Sequence, residues 1–340
     1  MNPSTVICQL GPTSTAVVTN HDFVIDHLSD FYVTSAGSSS QVSADWTVHA
    51  LLGEPAPTVA TNEWGVGYAA QPEVQQIWLW GLDLANLAIT TRKVVREVMV
   101  DYCEQRRYVM LHASAVVDDN RVLVVVGDKG SGKTTLALKA ALLHGMRYLS
   151  NDHLIVHACD GGNPSMSNLT LTSLPTPIPL KIGTYLDLEK YLPEPWDTEG
   201  LDIDAHRRVP REQLYGLDRR VLYTFRRLGQ QSPIAVDLTD THAGRPVLVA
   251  LGNYTRGSVR EVPIEDAVEA LMPHVRTDWM FDPRLNQRHL PRHERDEIEY
   301  WDDARRLVEA FAGRATVIGW NHRGDPRELL EHAGLRGSPS

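Results

Sequence analysis

The sequence lacks the features of secreted, disulfide-stabilised and membrane-spanning proteins. Its 340 residues include only three cysteines, Cys8, Cys103 and Cys159, which form neither a CxxC pair nor a metal-ligand spacing. Such a sparse and odd set favours reduced thiols over a disulfide framework. The first residues contain no basic segment followed by a continuous apolar stretch, so no secretory signal is predicted, and the longest apolar runs have the length of strands. We therefore expect a cytoplasmic protein with no membrane partner.

Positive charge is also scarce. The chain has 33 lysines and arginines against 43 aspartates and glutamates, which gives a formal net charge of −10 at pH 7. A protein of this charge repels nucleic-acid backbones, so nucleic acid is not expected as the main partner. The composition, 42% hydrophobic and 22% charged, is typical of globular proteins and excludes wholesale disorder. A homo-oligomer is compatible with these numbers.

Hydrophobic patterning divides the chain into two predicted domains. Residues 1–106 show short apolar or β-branched runs separated by turn residues, and a helical pattern follows from Thr91. This pattern indicates a smaller β-rich N-terminal domain with a linking helix. Residues 107–340 form the second predicted domain, within which residues 187–232 are rich in arginine and interrupted by proline. We interpret that stretch as a lid-like surface insertion.

The most specific motif is GDKGSGKT at residues 127–134, which matches G-x-x-x-x-G-K-[ST] in full. The apolar run VLVVV precedes it, and an apolar-faced helical pattern from Lys133 to His144 follows and ends at Gly145. Strand, glycine-rich loop and helix in this order are the context in which such a loop binds phosphate. The motif therefore predicts a P-loop that binds ATP together with Mg²⁺.

The residue types in this loop have separate physical roles. The glycines allow positive φ and let backbone N–H groups surround a phosphate. Lys133 supplies a mobile positive charge for the β- and γ-phosphates, and Thr134 supplies a hydroxyl for Mg²⁺. The predicted nucleotide site consists of Gly127, Asp128, Lys129, Gly130, Ser131, Gly132, Lys133, Thr134 and Thr135.

Two residues outside the loop are candidates for proton transfer. His112 lies in LHASAVV at 111–117, before the loop strand, and Asp152 ends HGMRYLSND at 144–152, after the loop helix. Phosphoryl transfer to a hydroxyl requires a proton acceptor within hydrogen-bond reach. His112 and Asp152 are therefore the candidate proton acceptors, and together with Lys133, whose charge would stabilise the transferred group, they are the predicted catalytic residues. A packed core histidine and a turn-capping aspartate are the alternative interpretations of the first two.

The order of the His-Ala strand, the phosphate loop and the segment 144–152 resembles the HPr kinase family. It more closely resembles the HPr-kinase-related kinases found beside biosynthetic clusters, and phosphoenolpyruvate carboxykinase shares their core. The resemblance covers about residues 108–275 and implies an α/β P-loop kinase core of this type. It also implies that Asp152 is the second member of an acidic pair that serves metal binding and base chemistry, with Thr134 as the other metal ligand. His112 would lie near the transferred phosphoryl group.

Two departures from the family limit what the resemblance implies. Asn151 occupies the position of the first acidic residue of the pair, so one carboxylate is missing. The acidic segment that HPr kinase/phosphorylases carry downstream is absent, so protein HPr is not the expected substrate. We expect an ATP-dependent kinase for a hydroxyl of a peptide, a protein or a small biosynthetic intermediate. The alternatives are a nucleotide-binding ATPase or switch that phosphorylates no substrate, and carboxykinase-like chemistry.

Several further residues are weaker candidates. Lys181 matches a basic position in the related kinases, and Asp237 could be the metal carboxylate of a Walker-B strand but ranks below Asp152. Arginines in the insertion could clamp the γ-phosphate or an acidic substrate, although a solvated surface is the more frequent role of each: Arg207, Arg208, Arg211, Arg219, Arg220, Arg226 and Arg227. A third group matches no metal motif and is interpreted as surface: His274, Asp278, Asp282, His289 and His293.

Overall fold

The chain forms two compact units, a first unit of residues 1–108 and 277–300 and a second unit of residues 109–276 and 301–340. Each is a mixed α/β assembly. The computed structural model describes residues 3–37, 44–54, 59–118, 121–158, 169–229, 235–238, 247–251, 260–281, 288–291 and 293–320. Cys159 and Asp282 lie outside these ranges. None of the helices in the described ranges has the length and apolarity needed to span a membrane.

The first unit contains a seven-stranded sheet with the order β3-β1-β2-β4-β7-β6-β5. Its strands are β1 (Ser4–Leu10), β2 (Thr13–Thr19), β3 (Val33–Ala36), β4 (Trp46–Leu52), β5 (Ala60–Thr61), β6 (Gly67–Gln71) and β7 (Gln76–Gly81). β2, β4 and β7 run parallel, whereas β1 is antiparallel to both β2 and β3. The sheet is therefore mixed.

The described part of residues 1–108 contains two α-helices, α1 (Asp22–Ser29) and α2 (Leu84–Gln105). The carboxylate of Asp83 accepts a hydrogen bond from the backbone N–H of Asn86 at 2.8 Å, which caps the first turn of α2. This cap explains why the helix begins at Leu84 and not at Thr91, where the helical pattern first becomes clear. Its buried residues include Leu87, Val94 and Val98, which recur at helical spacing.

A buried glutamate of α2 binds the segment around residue 289. Glu97 Oε2 accepts hydrogen bonds from the backbone N–H groups of His289 at 2.8 Å and Leu290 at 3.0 Å, and Glu97 Oε1 lies 2.7 Å from His289 Nδ1. The Tyr68 ring meets the His289 ring edge-on at 4.9 Å. His289 is 5% exposed, so its interpretation as a surface residue is wrong. These contacts explain why residues 277–300 belong to the first unit and not to the unit that follows residue 108.

The described residues of the second unit form three sheets. The six-stranded sheet has the order β11-β9-β10-β17-β19-β18, and the four-stranded sheet has the order β16-β13-β12-β8. β14 and β15 form a separate two-stranded antiparallel sheet, which we call the β14–β15 hairpin although residues 182–219 connect the two strands. The strands are β8 (Val109–Leu111), β9 (Ala113–Val117), β10 (Val122–Gly127), β11 (Arg147–Ser150), β12 (Leu154–Ala158), β13 (Leu169–Ser173), β14 (Ile178–Lys181), β15 (Arg220–Tyr223), β16 (Ala235–Asp237), β17 (Val247–Leu251), β18 (Arg260–Glu261) and β19 (Thr316–Trp320). β10, β17 and β19 run parallel, while β9 is antiparallel to β10.

The remaining helices have the following bounds: α3 (Lys133–His144), α4 (Ile182–Leu188), α5 (Ile203–Arg207), α6 (Arg211–Leu214), α7 (Ile264–Leu271), α8 (Asp278–Phe281) and α9 (Glu297–Arg314). The predicted strand before the glycine-rich loop and the predicted helix after it are confirmed. Gly145 ends α3 in the left-handed conformation at φ 68°. Residues in this conformation are preferentially glycine, because a Cβ would be strained there.

One apolar core fixes the position of the glycine-rich loop. It combines Val125 of β10, Leu136 of α3 and Tyr148 of β11 with Leu180 and Tyr223 of the β14–β15 hairpin. β10 is buried along its whole length. Because Tyr223 and its neighbours are buried in this core, residues 187–232 include core positions and are not surface throughout, contrary to the sequence-based interpretation.

Glu97→Ala should destabilise the first unit by about 3 kcal/mol, because two buried backbone N–H groups and a buried imidazole lose their acceptor. Asp101→Ala is the matched control. Asp101 lies one turn further along α2 and accepts a hydrogen bond from His293 N at 2.8 Å in an exposed position, so its loss should cost under about 1 kcal/mol. Urea unfolding of both variants measures the difference, and equal destabilisation would contradict this role of Glu97.

Candidate functional site

The loop that joins β10 to α3 has a backbone that requires glycine. Gly130 and Gly132 have φ values of +86° and +89°, in the left-handed region. A Cβ built on either residue would meet no heavy atom within 4 Å. The requirement therefore comes from the backbone conformation and not from lack of space. The sequence-based expectation of positive φ at these two positions is confirmed.

The N-terminus of α3 is open to an anion. Its N-cap residue is Gly132, and no side chain caps the first turn. The first backbone N–H groups of a helix have no intrahelical acceptor, and the helix dipole adds partial positive charge there. Next to this turn, the hydroxyl of Ser131 is buried and has no hydrogen-bond partner among the described residues. Such a combination of free donors suits a phosphate group.

Lys133 holds a buried positive charge above the loop. The residue is 5% exposed, and its Nζ donates to the carbonyl oxygens of Gly127 at 2.7 Å and Asp128 at 3.1 Å. Burial lowers the pKa of Lys133, against the opposing charges of Asp152 and Asp128, while the charge of Arg276 lowers it further. An ammonium has three donors, and these carbonyls use two of them. A phosphate would therefore compensate a charge that the protein itself stabilises only in part.

Asn151 connects the hydroxyl of Thr134 with the carboxylate of Asp152. Asn151 Oδ1 accepts hydrogen bonds from Thr134 Oγ1 at 3.0 Å and from the Tyr148 hydroxyl at 3.1 Å. Its Nδ2 donates to Asp152 Oδ2 at 3.4 Å. The two residues expected to bind a metal thus lie on either side of one buried amide. The position that carries a carboxylate in the resembling kinases is occupied here by a group that both accepts and donates.

His112 and Asp152 lie where the chain crosses between two sheets. His112 separates β8 of the four-stranded sheet from β9 of the six-stranded sheet, and Asp152 follows β11 and precedes β12. Because β9 pairs with β11 and β8 pairs with β12, the two crossings are adjacent. His112 Nε2 lies 3.2 Å from Asp152 Oδ1, with the side chains 35% and 30% exposed. The two predicted proton-transfer residues form a pair.

The environment favours the ionised form of Asp152. Burial raises the pKa of its carboxyl, but the hydrogen bond from His112 and the charges of His112, His153 and Lys133 together lower that pKa below the usual 3.8. Its backbone has a φ of +63°, in the left-handed region, which aspartate tolerates better than most residues. Asp152 is therefore a carboxylate at neutral pH and can accept a proton.

Two basic residues lie beside this pair: Arg276, which the sequence did not single out, and His274, which the sequence analysis interpreted as surface. Arg276 NH1 lies 2.8 Å from His153 Nε2 and 3.3 Å from the Asp152 carbonyl oxygen, and Arg276 N donates to Met110 O at 2.8 Å. Arg276 lies 124 positions after Asp152, and no motif connects the two. The carbonyl of His274 accepts from His112 N at 2.8 Å. His274 is partly buried beside the pair, and burial lowers its pKa, so its interpretation as a solvated surface residue is wrong.

A cavity of about 810 Å³ opens over the loop, a volume typical of sites for small ligands. The predicted site residues that line it are His112, Lys129, Gly130, Gly132, Lys133, Thr134, Thr135 and Asp152. Lining residues outside the predicted set include Lys139 of α3, Lys181, Thr184 of α4, Tyr215 and Arg220. Of the seven arginines singled out in the insertion, Arg220 is the one that lines the cavity. Arg207 and Arg211 instead pair with Glu189 and Asp187.

The carboxylates of the described residues do not form a dense metal site. No group of three or more histidine, cysteine, aspartate or glutamate side chains is arranged to hold a metal within the described ranges. Asp237 ends β16 in the four-stranded sheet, where its Oδ1 accepts from Thr170 Oγ1 at 2.6 Å, and it is not among the cavity-lining residues. Asp152 lines the cavity, together with the Thr134 hydroxyl. Any divalent cation in this cavity would therefore have few protein ligands and would depend on phosphate oxygens.

No protein-family model matches this chain, and no curated protein matches it either. The resemblance to the HPr kinases therefore depends on the motifs at residues 111–117, 127–134 and 144–152.

Asp152→Asn should lower stability by about 1 kcal/mol at pH 6, because the charged hydrogen bond to His112 is lost while asparagine tolerates the same backbone conformation. The folded pKa of Asp152 lies below its unfolded value. The wild-type advantage is therefore present above about pH 3.8 and disappears as the pH falls through the lower folded pKa. Urea unfolding at pH 6 and at successively lower pH measures it. A difference independent of pH would show that the carboxylate charge contributes nothing.

Proposed function

We propose that this protein is an ATP-dependent kinase that transfers the γ-phosphoryl group to a hydroxyl, on a P-loop kinase core of the HPr-kinase and phosphoenolpyruvate-carboxykinase type. The observation that carries the proposal is the arrangement of one cavity. A buried lysine over a glycine-rich loop and the open N-terminus of α3 lie at the same cavity as an ionised aspartate paired with a histidine. The first group binds phosphate, and the second accepts a proton. A cytoplasmic location belongs to the same proposal.

The loop accounts for binding of the triphosphate. The backbone N–H groups of the uncapped first turn of α3, the Ser131 hydroxyl and the Lys133 ammonium are donors without full compensation inside the protein. During transfer, negative charge spreads over the oxygens of the moving phosphoryl group, and positioned donors stabilise it. Lys133 is held close to the loop by the Gly127 and Asp128 carbonyls, so it needs only a small movement to reach a phosphate.

The donor set beside the loop fits Mg²⁺. Thr134 and Asp152 offer a hydroxyl and a carboxylate, the oxygen ligands that Mg²⁺ prefers, and Mg²⁺ commonly uses one or two protein ligands together with substrate phosphates. When bound, Mg²⁺ would neutralise part of the triphosphate charge. Asn151 holds both residues through hydrogen bonds, which fixes the distance between them before any ligand binds.

Asp152 and His112 account for the proton. The acceptor oxygen forms a bond to the γ-phosphorus while the bond from that phosphorus to the bridging oxygen of ADP breaks, and the hydroxyl proton passes to the Asp152 carboxylate. The His112 side chain, 3.2 Å from the carboxylate, orients it toward the cavity. Lys133 stabilises the charge that develops on the transferred group.

Product analysis with labelled ATP tests this proposal against the other nucleotide chemistries. A kinase converts a hydroxyl compound into its phosphate ester and releases ADP. An ATPase or switch releases free phosphate whether or not a hydroxyl compound is present, and carboxykinase-like chemistry decarboxylates a keto acid. Transfer of label to a hydroxyl compound supports the proposal, whereas free phosphate alone, with every hydroxyl compound tried, contradicts it.

Lys133→Ala should reduce the rate of transfer about a thousandfold, or about 4 kcal/mol in the activation free energy, because the charge proposed to stabilise the β- and γ-phosphates is lost. Lys190→Ala is the control, since Lys190 is exposed and lies outside the cavity. Steady-state rates and thermal unfolding of both variants separate loss of chemistry from loss of fold. Near-wild-type turnover in Lys133→Ala would show that the loop does not carry the reaction.

Asn151→Asp should make the stability of the protein depend on Mg²⁺. Asn151 is 1% exposed, and a second carboxylate there would replace a donor to Asp152 by a like charge, at a cost of about 2 kcal/mol. Binding of Mg²⁺ between the carboxylates should reverse most of that cost. Thermal unfolding in EDTA and in Mg²⁺ measures the stability gained from Mg²⁺. This gain should be larger in Asn151→Asp than in the wild type or in Asp152→Asn. An equal gain in all three proteins would contradict a cation site at this position.

A further inference from the structure

The cavity contains a second group of basic residues that the proposed transfer chemistry does not use. Lys181 ends β14 immediately before α4, and Arg220 begins β15, so both belong to elements distinct from the loop and α3. Both residues line the cavity. We call Lys181 and Arg220 the hairpin pair.

The two members of the hairpin pair are direct cross-strand neighbours. β14 and β15 are antiparallel, and Lys181 is opposite Arg220 in their register. Like charges directly opposite each other destabilise a two-stranded pairing. Lys181 and Arg220 therefore reduce the stability of the strand pairing at the wall of the cavity. Residues that reduce local stability in this way are typical of functional positions.

The positive charge around the hairpin pair is only partly neutralised. Asp218 Oδ1 accepts hydrogen bonds from Arg220 Nε at 3.1 Å and NH2 at 2.7 Å. The pKa of the exposed Asp218 carboxyl is lowered first by this hydrogen bond, then by the Arg220 charge, and further by the charges of Lys129 and Lys181. Three basic residues thus act on one carboxylate. Lys129, Lys139 and Lys181 form no salt bridge with any residue in the described part of the chain.

The whole cavity has more positive charge than a nucleotide alone requires. Five basic side chains line it, from Lys129, Lys133, Lys139, Lys181 and Arg220, against the single carboxylate of Asp152. The loop N–H groups, Lys133 and a divalent cation already compensate a triphosphate. The positive charge that the triphosphate does not compensate is available to a second anion in the same cavity.

We propose that the hairpin pair binds an anionic group, a carboxylate or a phosphate, on the hydroxyl compound that accepts the phosphoryl group. This assignment rests on the proposed kinase function and specifies its substrate class as a small hydroxy compound with its own negative charge. Arg220 offers a planar guanidinium fixed by Asp218, and Lys181 adds a point charge, a combination that suits either anion. Thr184 and Tyr215 line the same side of the cavity, and the Tyr215 hydroxyl is itself bonded to Asp187.

The test measures binding of two probes, inorganic phosphate and glycolate, to protein saturated with Mg²⁺ and a non-hydrolysable ATP analogue. Isothermal titration calorimetry gives the affinities for the wild type, Lys181→Gln and Arg220→Gln. Arg219→Gln is the matched control, because Arg219 precedes Arg220, is exposed and does not line the cavity. Thermal unfolding of each variant verifies the fold. The probe that binds to the wild type with the higher affinity identifies the anion as phosphate or carboxylate.

The expected result is a loss of probe affinity of about tenfold or more in Lys181→Gln and Arg220→Gln, with less than about a threefold change in nucleotide affinity. Arg219→Gln should change neither. Unchanged probe affinity in Arg220→Gln overturns the assignment. The assignment is also overturned if the bound nucleotide prevents probe binding and the nucleotide itself binds more weakly to Lys181→Gln and Arg220→Gln. In that case the hairpin pair belongs to the nucleotide site.

The two proposals can fail separately. Failure of the wild type to bind the ATP analogue would refute the kinase proposal and, with it, the identification of the anion as part of an acceptor. Tight nucleotide binding, together with probe affinities that do not respond to Lys181→Gln or Arg220→Gln, would refute the hairpin assignment and leave the kinase proposal intact.

Discussion

The buried ammonium of Lys133 is the constraint on which the candidate site depends. Removing a positive charge from water is costly, and here the compensation comes from two backbone carbonyls of the loop and from the nearby Asp152 carboxylate. These carbonyls belong to the loop in which Gly130 and Gly132 adopt positive φ, and that loop lies between the buried strand β10 and α3. Loop conformation, lysine burial and the ionisation of Asp152 are therefore interdependent.

A continuous chain of polar side chains connects α3 with the segment 151–152 and with His112. Thr134 on α3 donates to Asn151, Asn151 donates to Asp152, and Asp152 pairs with His112 at the start of β9. Asn151 and Asp152 are consecutive in the chain, whereas the bonds to Thr134 and to His112 join residues that only the meeting of two sheets and a helix brings together. Asn151 is the centre of this chain, and as an amide it can satisfy an acceptor and a donor at once. A carboxylate there would only accept and would need a cation beside Asp152, whereas the amide of Asn151 connects Thr134 with Asp152 without one.

The electrostatics of the cavity contrast with those of the whole chain. The protein has a formal net charge of −10, yet the charged side chains that line the cavity are mainly basic. Local positive charge on a negative protein confines anion binding to one place and discourages adventitious binding elsewhere on the surface. Arg276 adds to this field from the side of the His112–Asp152 pair, where it contacts the Asp152 carbonyl and His153.

Local sequence patterns were sufficient to predict those elements whose conformation depends on residues close to one another in the chain. The strand, loop and helix around residues 122–144 follow from hydrophobic periodicity and glycine placement, since both act over a few residues. The motif alone pointed to Lys133 and Thr134, and the order of the motifs around the loop, which resembles that of the HPr kinases, pointed to His112 and Asp152. Tertiary structure alone decided that these two form a pair, that Arg276 supports them from 124 positions away, and that Arg220, among seven arginines, reaches the cavity. It also buried His289 against Glu97. Contacts between distant segments depend on the register and packing of whole elements, which periodicity and motif spacing do not encode.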